Sequence, residues 1–125
     1  IPGASEVFRG SVVAYSSEVK FDLLGVPEGP VVTEAAAKAM AEGARKYLKA
    51  DVGLAVTGVA GPAEQEGQPV GTVYLGIAMP GISDARWARM PGDRNRIREY
   101  SVINVLNLLR RRVLTGGLSG ESGST

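Results

Sequence analysis

Strand-like and helix-like segments alternate along this chain, and that alternation restricts its fold more than any other feature of the sequence. Short apolar runs rich in β-branched residues predict strands at 11–15, 52–56, 70–79 and, near a sheet edge, 85–90. Amphipathic spacing predicts helices at 18–24, 34–49 and 94–114. This order favours an α/β fold, a three-layer α/β/α sandwich in which helices cover both faces of a mixed β-sheet.

Each of the two long predicted helices carries an apolar face that we expect to pack on the sheet. Thr33 is the expected N-cap of the first, whose apolar face consists of Ala36, Met40, Ala44, Tyr47 and Leu48. Asp93 precedes the second, whose predicted core stripe consists of Ile97, Val102, Leu106, Leu109 and Val113. A single domain is therefore expected over 1–115, followed by a flexible Gly/Ser-rich tail at 116–125.

The chain has no histidine and no cysteine among its 125 residues. Disulfides, thiolate nucleophiles, Cys/His zinc sites and every relay that needs an imidazole are therefore excluded within it. Any catalysis has to use Ser, Thr, Tyr, Lys, Arg, Asp or Glu side chains, or backbone amides. The net charge of +1 identifies no partner. No segment is long and apolar enough to span a membrane, so we expect a cytoplasmic protein that binds no membrane.

Lys20 is the first candidate for a catalytic residue. It lies in the predicted first turn of the helix that Ser16 and Ser17 begin. The helix dipole disfavours an ammonium there, and a neutral lysine is a base. Tyr15 lies at the end of the adjoining predicted strand. The competing interpretation is a solvated lysine on an amphipathic turn, since lysines with perturbed titration are the minority.

Two further features offer groups for chemistry. Ser5 lies at a turn before a short helical segment and can be a nucleophile, although a serine in that position is usually an N-cap. The loop 57–62, TGVAGP, follows a predicted buried strand and can present backbone N–H groups to a phosphate or a carbonyl oxygen. It has neither the GxGxxG nor the P-loop pattern, and Gly/Pro loops between strands are common.

Three arginines, Arg94, Arg96 and Arg98, open the last predicted helix, where cations oppose the helix dipole. Such a local misfit is typical of functional sites, and a solvated basic face is the alternative. Direct nucleic-acid binding is disfavoured, because the net charge is +1 and no RNA-binding motif is present.

Several stretches, in the same order along the chain, resemble the CinA C-terminal domain family. The family comprises domains of competence/damage-inducible proteins and free-standing nicotinamide mononucleotide deamidases. GSVVAYSSEVK at 10–20 and LLGVP at 23–27 are similar to the family's GGVVAYSNEAK…LLGV segment. The similarity continues in AMAEGAR at 39–45, LAVTGVAGP at 54–62, PVGTV at 69–73, and Gly92, Asp93, Arg94 and Arg98. It covers nearly all of 1–115.

The resemblance implies a metal-independent amidohydrolase without a cofactor. Its small-molecule substrate would be nicotinamide mononucleotide, hydrolysed at the carboxamide to nicotinate mononucleotide and ammonia. Ser5 falls on a serine of the family's PGSS segment, the nucleophile, and Lys20 on the lysine of SNEAK, the general base, with Tyr15 as a third catalytic residue. The substrate-binding residues it implies are Thr57, Gly58, Ala60 and Gly61 of the loop, with Arg94 or Arg98 meeting the phosphate or the carboxamide.

The sequence also departs from the family pattern. Ala4 replaces the first serine of PGSS, and Ser17 and Val19 replace Asn and Ala of SNEAK. The family's first strand and helix, with the ESCTGG motif, would precede Ile1, so we expect an N-terminally incomplete domain from a processed or truncated chain. We also expect a homo-oligomer and, in the full-length chain, an N-terminal molybdopterin-binding-like domain. The alternative function is a degenerate, non-catalytic domain that binds a nucleotide or a partner domain.

Overall fold

The computed structural model describes residues 9–10, 17–22 and 24–115. The helices are α1 (Ser17–Asp22), α2 (Glu34–Tyr47) and α3 (Arg94–Leu114). The strands are β1 (Gly53–Gly58), β2 (Thr72–Met79) and β3 (Ile82–Arg89). Each predicted element that falls on these residues is present, with ends that differ by a few residues. The predicted strand 11–15 and the tail 116–125 lie outside the described residues.

The three described strands form one antiparallel sheet in the order β1-β2-β3. β2 and β3 make a hairpin in which Met79 pairs with Ile82 across Pro80 and Gly81. Gly81 has a φ of +76°, a left-handed conformation that costs glycine no steric strain. β3 lies at an edge of the described sheet, as its mixed composition predicts. Both described pairings are antiparallel, so the parallel pairing of the predicted mixed sheet stays a prediction, and the predicted strand 11–15 lies outside the described residues.

The helices α2 and α3 lie on opposite faces of β2. Successive side chains of a strand point to opposite sides, so alternate residues of β2 contact different helices. Val73, Leu75, Ile77 and Met79 share a cluster with Ile97, Val105 and Leu108 of α3. Ala78, from the alternate positions, packs with Ala36, Met40 and Ala41 of α2. These two contacts make three layers, α3 over the sheet over α2, which confirms the predicted α/β/α class.

The predicted core stripe of α3 is wrong at most of its positions. Ile97 is buried, but Val102, Leu106 and Val113 are 54%, 53% and 43% exposed. The buried residues of α3 are Ile97, Ser101, Val105 and Leu108. The helix has two apolar faces about 100° apart, and spacing alone does not choose between them. Ser101 fits the inner face because its Oγ donates a hydrogen bond of 2.6 Å to the Ile97 carbonyl oxygen.

The N-cap of α2 is confirmed, since the Thr33 Oγ1 accepts a 3.0 Å hydrogen bond from the Ala36 N–H. Its predicted core face is only partly right: Ala36 and Met40 are buried, whereas Tyr47 is 54% exposed. The buried residues all lie in the first two turns, where α2 packs closely on the sheet. A Cβ on Gly76 of β2 would be 2.2 Å from the Ala37 carbonyl oxygen, so the sheet has to present a glycine there.

None of the described helices is long and apolar enough to cross a membrane.

Candidate functional site

Lys20 is half-buried and lies in the last turn of α1, a helix of six residues. Lys20 is the fourth residue of this short helix and belongs to its last turn as well as to the predicted first turn, so the helix dipole does not by itself disfavour the ammonium. Burial lowers the pKa of Lys20 below its usual value of 10.5, while the charge of Glu66 acts in the opposite direction. Burial, not the dipole, therefore favours the neutral amine.

The position of Lys20 is held by the residues around it in the chain. The Val26 N–H donates a 3.0 Å hydrogen bond to the Lys20 carbonyl oxygen, and Gly25 between them has a φ of +71°. The neighbouring Phe21 packs against the cluster of Val31, Val32 and Val59. The end of α1 is thus anchored to the segment 31–32 and to the loop that follows β1.

Glu66 is a site residue that the sequence did not predict. Its carboxylate accepts hydrogen bonds from two consecutive backbone N–H groups, with Oε2 at 2.9 Å from the Val31 N and Oε1 at 2.9 Å from the Val32 N. Glu66 itself has a φ of +54°. The stretch around it is polar and follows no motif, so no local signal distinguishes this glutamate from a solvated one.

The side chains of Thr57 and Gln68 donate hydrogen bonds to the carbonyl oxygens of the same two residues, Val31 and Val32. The buried Thr57 donates from Oγ1 to the Val31 carbonyl oxygen at 2.7 Å. Gln68 donates from Nε2 to the Val32 carbonyl oxygen. Together with Glu66, these side chains partner all four backbone polar groups of residues 31–32. The Thr57 hydroxyl, which the resemblance assigns to substrate, is here bonded to the protein's own backbone.

The loop after β1 lies at the same end of the sheet as the start of α3. Gly58 pairs with Val73, and Thr72 with Arg89, so the end of β1, the start of β2 and the end of β3 are together. Gly58 is needed for the close pairing of β1 with β2, because a Cβ there would be 2.5 Å from the Thr72 carbonyl oxygen.

Ala60 and Gly61 continue this loop beyond the sheet. Their N–H groups have no hydrogen-bond acceptor among the described residues, whereas the Val59 N–H donates to the Thr72 carbonyl oxygen at 2.8 Å. Within the described part of the chain, this end of the sheet therefore has two adjacent backbone donors without an acceptor. Donors of this kind are suited to an anionic oxygen.

Arg94 reaches the loop and Arg98 does not. The exposed Arg94 donates from Nη1 to the Gly61 carbonyl oxygen at 3.1 Å. Arg98 lies one turn further along α3, is exposed and forms no hydrogen bond or ion pair with the described residues. Asp93 caps the helix, with its Oδ1 3.0 Å from the Arg96 N. Asp93 thus offsets part of the dipole conflict that the three arginines create.

Ser5 and Tyr15 lie outside the described residues. The described part of the site therefore offers a half-buried amine with a nearby carboxylate, Lys20 with Glu66, and an exposed guanidinium beside two backbone donors, Arg94 with Ala60 and Gly61. Chemically, the first pair can move a proton and the second can hold an anion.

A sequence profile described as "CinA C-terminal domain" matches residues 1–113. The CinA-like protein of Frankia casuarinae is 49% identical over 130 residues, which cover 100% of this chain and 30% of that protein. The CinA-like protein of Dictyoglomus turgidum is 48% identical over 124 residues, covering 91% of this chain and 29% of that protein. The chain thus spans about 30% of the length of these curated relatives.

Solved structures show the same fold. The competence damage-inducible protein A of Klebsiella pneumoniae has a TM-score of 0.75 at 28% identity, covering 80% of this chain and 66% of that chain. The competence/damage inducible protein CihA of Agrobacterium tumefaciens has a TM-score of 0.67 at 31% identity, covering 78% of this chain and 64% of that chain. Since the profile spans nearly the whole sequence and both kinds of relative agree with it, the chain belongs to the CinA C-terminal domain family.

Proposed function

We propose that the intact protein hydrolyses the carboxamide of nicotinamide mononucleotide to nicotinate mononucleotide and ammonia. The observation that carries this proposal is the half-buried Lys20, whose pKa is lowered by burial in a chain without histidine or cysteine. Such a lysine can act as a base at a pH where an exposed lysine is fully protonated. Membership of the CinA family supports the same assignment, because the sequence resemblance assigns Ser5 to the family's nucleophile and Lys20 to its base.

In the proposed mechanism, the neutral Lys20 amine takes the proton of the Ser5 hydroxyl as Ser5 Oγ attacks the carboxamide carbon. The carbonyl electron pair moves to oxygen, and backbone N–H groups stabilise the oxyanion. Collapse of this tetrahedral intermediate breaks the C–N bond, and the leaving nitrogen takes the proton held by Lys20, with the help of Tyr15, and departs as ammonia. Water then attacks the Ser5 ester carbon and gives a proton to the neutral Lys20. Lys20 returns this proton to Ser5 Oγ as the ester C–O bond breaks, which releases nicotinate mononucleotide and restores the free serine.

The other end of the substrate carries a phosphate, for which the start of α3 is the proposed binding position. Arg94 uses one N–H on the Gly61 carbonyl oxygen, which orients the guanidinium and leaves further donors for a phosphate. The loop that Arg94 contacts also carries the N–H groups of Ala60 and Gly61, which have no acceptor among the described residues and are proposed as additional donors. This arrangement supports Arg94 rather than Arg98 as the phosphate-binding arginine.

The direct test measures ammonia released from nicotinamide mononucleotide by the intact protein and by two variants, Ser5→Ala and Lys20→Ala. We expect turnover in the wild type and losses of at least about 10²-fold in each variant, which is the usual effect of removing a nucleophile or a general base. Lys38→Ala is the matched control, because Lys38 is an exposed lysine on α2 and its loss should leave turnover unchanged. Undiminished turnover in both site variants contradicts the mechanism.

Calorimetry with nicotinamide mononucleotide distinguishes the proposed hydrolase from the alternative function, a non-catalytic domain that binds a nucleotide. A degenerate domain that binds a nucleotide without turnover would give a binding isotherm for the wild type and no ammonia. That pair of results would replace the proposed hydrolase with a nucleotide-binding module.

A further inference from the structure

Glu66 combines two properties that are unusual together in a loop glutamate. The residue is exposed and carries a left-handed backbone, yet both carboxylate oxygens are bonded to N–H groups of one distant segment. A non-glycine residue in this conformation is uncommon and is maintained only by its surroundings. Backbone hydrogen bonds between Gln65 and Gln68 close a two-residue turn with Glu66 and Gly67 both at positive φ, and this turn maintains the conformation while the side chain reaches Val31 and Val32.

The other side-chain hydrogen bonds to the segment 31–32 come from neutral residues. Thr57 and Gln68 bind the two carbonyl oxygens of the same segment, and the Tyr74 hydroxyl donates to Gln68 Oε1 at 3.2 Å. Glu66 is therefore the one carboxylic acid in this group of four side chains. Fastening alone does not require a charge, since neutral acceptors also bind backbone N–H groups.

The charge of Glu66 acts on Lys20. Among the described residues, Glu66 is the charged group whose field reaches the Lys20 amine. The other acidic groups near it in sequence, Asp22 on α1 and Glu28 beyond its end, are exposed. The segment that Glu66 binds, 31–32, is also the one on which the neighbouring Phe21 packs. The same hydrogen bonds thus hold both the lysine's helix and the charge beside it.

We propose that Glu66 is a positioning residue for Lys20: its two hydrogen bonds fasten the segment 31–32, on which the neighbouring Phe21 packs, and they hold the Glu66 carboxylate in place near the amine. This inference rests on the proposed function only in taking Lys20 as the base. It adds a regulator of that base, in a loop that the motif resemblance does not assign.

The two roles of Glu66 give opposite results when its charge is removed. Because burial lowers the pKa of Lys20 and Glu66 raises it, loss of the charge alone moves that pKa further down. If Glu66 acted only as a fastener, its loss would loosen the segment, let water reach the amine and move the pKa of Lys20 up. The direction of the change therefore shows whether the charge of Glu66 or its fastening has the larger effect on Lys20, and the proposal requires the charge to have it.

The test labels the folded, intact protein with acetic anhydride as a function of pH and measures the acetylation rate of Lys20 by mass spectrometry of the peptide that contains it. Only the neutral amine reacts, so the midpoint of the curve reports the protonation of Lys20. We expect Glu66→Gln to shift the midpoint to lower pH. Gln68→Leu, which removes a neutral fastening bond and keeps the charge, is the matched control and should not shift it downward. An unchanged or raised midpoint in Glu66→Gln, or an equal downward shift in Gln68→Leu, overturns the inference.

A second measurement needs no variant and covers the case in which Glu66→Gln does not fold. Salt screens a partly exposed charge pair and leaves burial unaffected. Raising the salt concentration should therefore move the Lys20 midpoint of the wild type to lower pH, and a midpoint that stays in place or rises contradicts the role of the charge.

Labelling does not depend on turnover, so the two proposals fail separately. If the midpoint shifts as expected and no ammonia is released, the proposed hydrolysis is wrong and the pairing of Glu66 with Lys20 stands. If ammonia is released and the midpoint does not move, the hydrolysis stands and the inference about Glu66 is wrong.

Discussion

Lys20 and Arg94 show how single side chains acquire their properties from contacts distant in sequence. The dipole argument for Lys20 depends on the length of α1, and it fails because a helix of six residues places the lysine within one turn of both ends. Burial supplies the effect instead, through packing that a lone Lys in the sequence does not reveal. Arg94 is oriented by a carbonyl oxygen 33 residues earlier, on Gly61.

Arg94 and Arg98, two of the three arginines at the start of α3, make a matched pair. Arg94→Ala should raise the KM for nicotinamide mononucleotide by roughly 10- to 100-fold, the expected effect of losing hydrogen bonds to a charged phosphate, with a smaller change in kcat. Arg98→Ala removes an equally charged, exposed side chain that does not contact the loop, and should change KM little. Steady-state kinetics on both variants checks this, and a larger KM effect at Arg98 would reverse the assignment.

The ends of helices were predictable from capping residues, which are local signals. The buried face of a helix was less predictable, because it depends on packing against the rest of the fold. The N-caps Thr33 and Asp93 set the starts of α2 and α3 at the predicted residues. The face of α3 was not predictable, because its outer residues Val102 and Leu106 are as apolar as its inner ones. Glu66 was not predictable either, since its partners lie 34 and 35 residues away and leave no periodic trace.

Two leucines of α3 test which face is buried. Leu108 is 2% exposed and packs against β2, whereas Leu106 is 53% exposed. Leu108→Ala should lower the free energy of unfolding by about 2–5 kcal/mol, and Leu106→Ala by less than about 1 kcal/mol. Urea denaturation of both variants measures the difference. Equal losses, or a larger loss at Leu106, would mean that the outer face is buried in solution and would contradict the description of α3 as exposed there.

At the scale of the whole molecule, the antiparallel pairing of the described strands brings the loop after β1 and the start of α3, both parts of the candidate site, to one end of the sheet. The end of β1, the start of β2 and the end of β3 meet there, and α3 begins directly beyond. This places Arg94 next to the loop of Ala60 and Gly61, and the side chain of Glu66 against the segment that supports α1. The alternation of strands and helices predicted the three layers correctly, but not which loops would be fastened to one another.

The central claim is that Lys20 is the base for amide hydrolysis, and the pH dependence of kcat/KM for nicotinamide mononucleotide tests it most directly. A base has to be neutral to accept a proton, so kcat/KM should rise with pH and level off above the pKa of Lys20, which burial places below 10.5. The midpoint of that rise should coincide with the midpoint for acetylation of Lys20 in the free protein. A flat profile, or a rise whose midpoint differs from that of Lys20, would contradict the account.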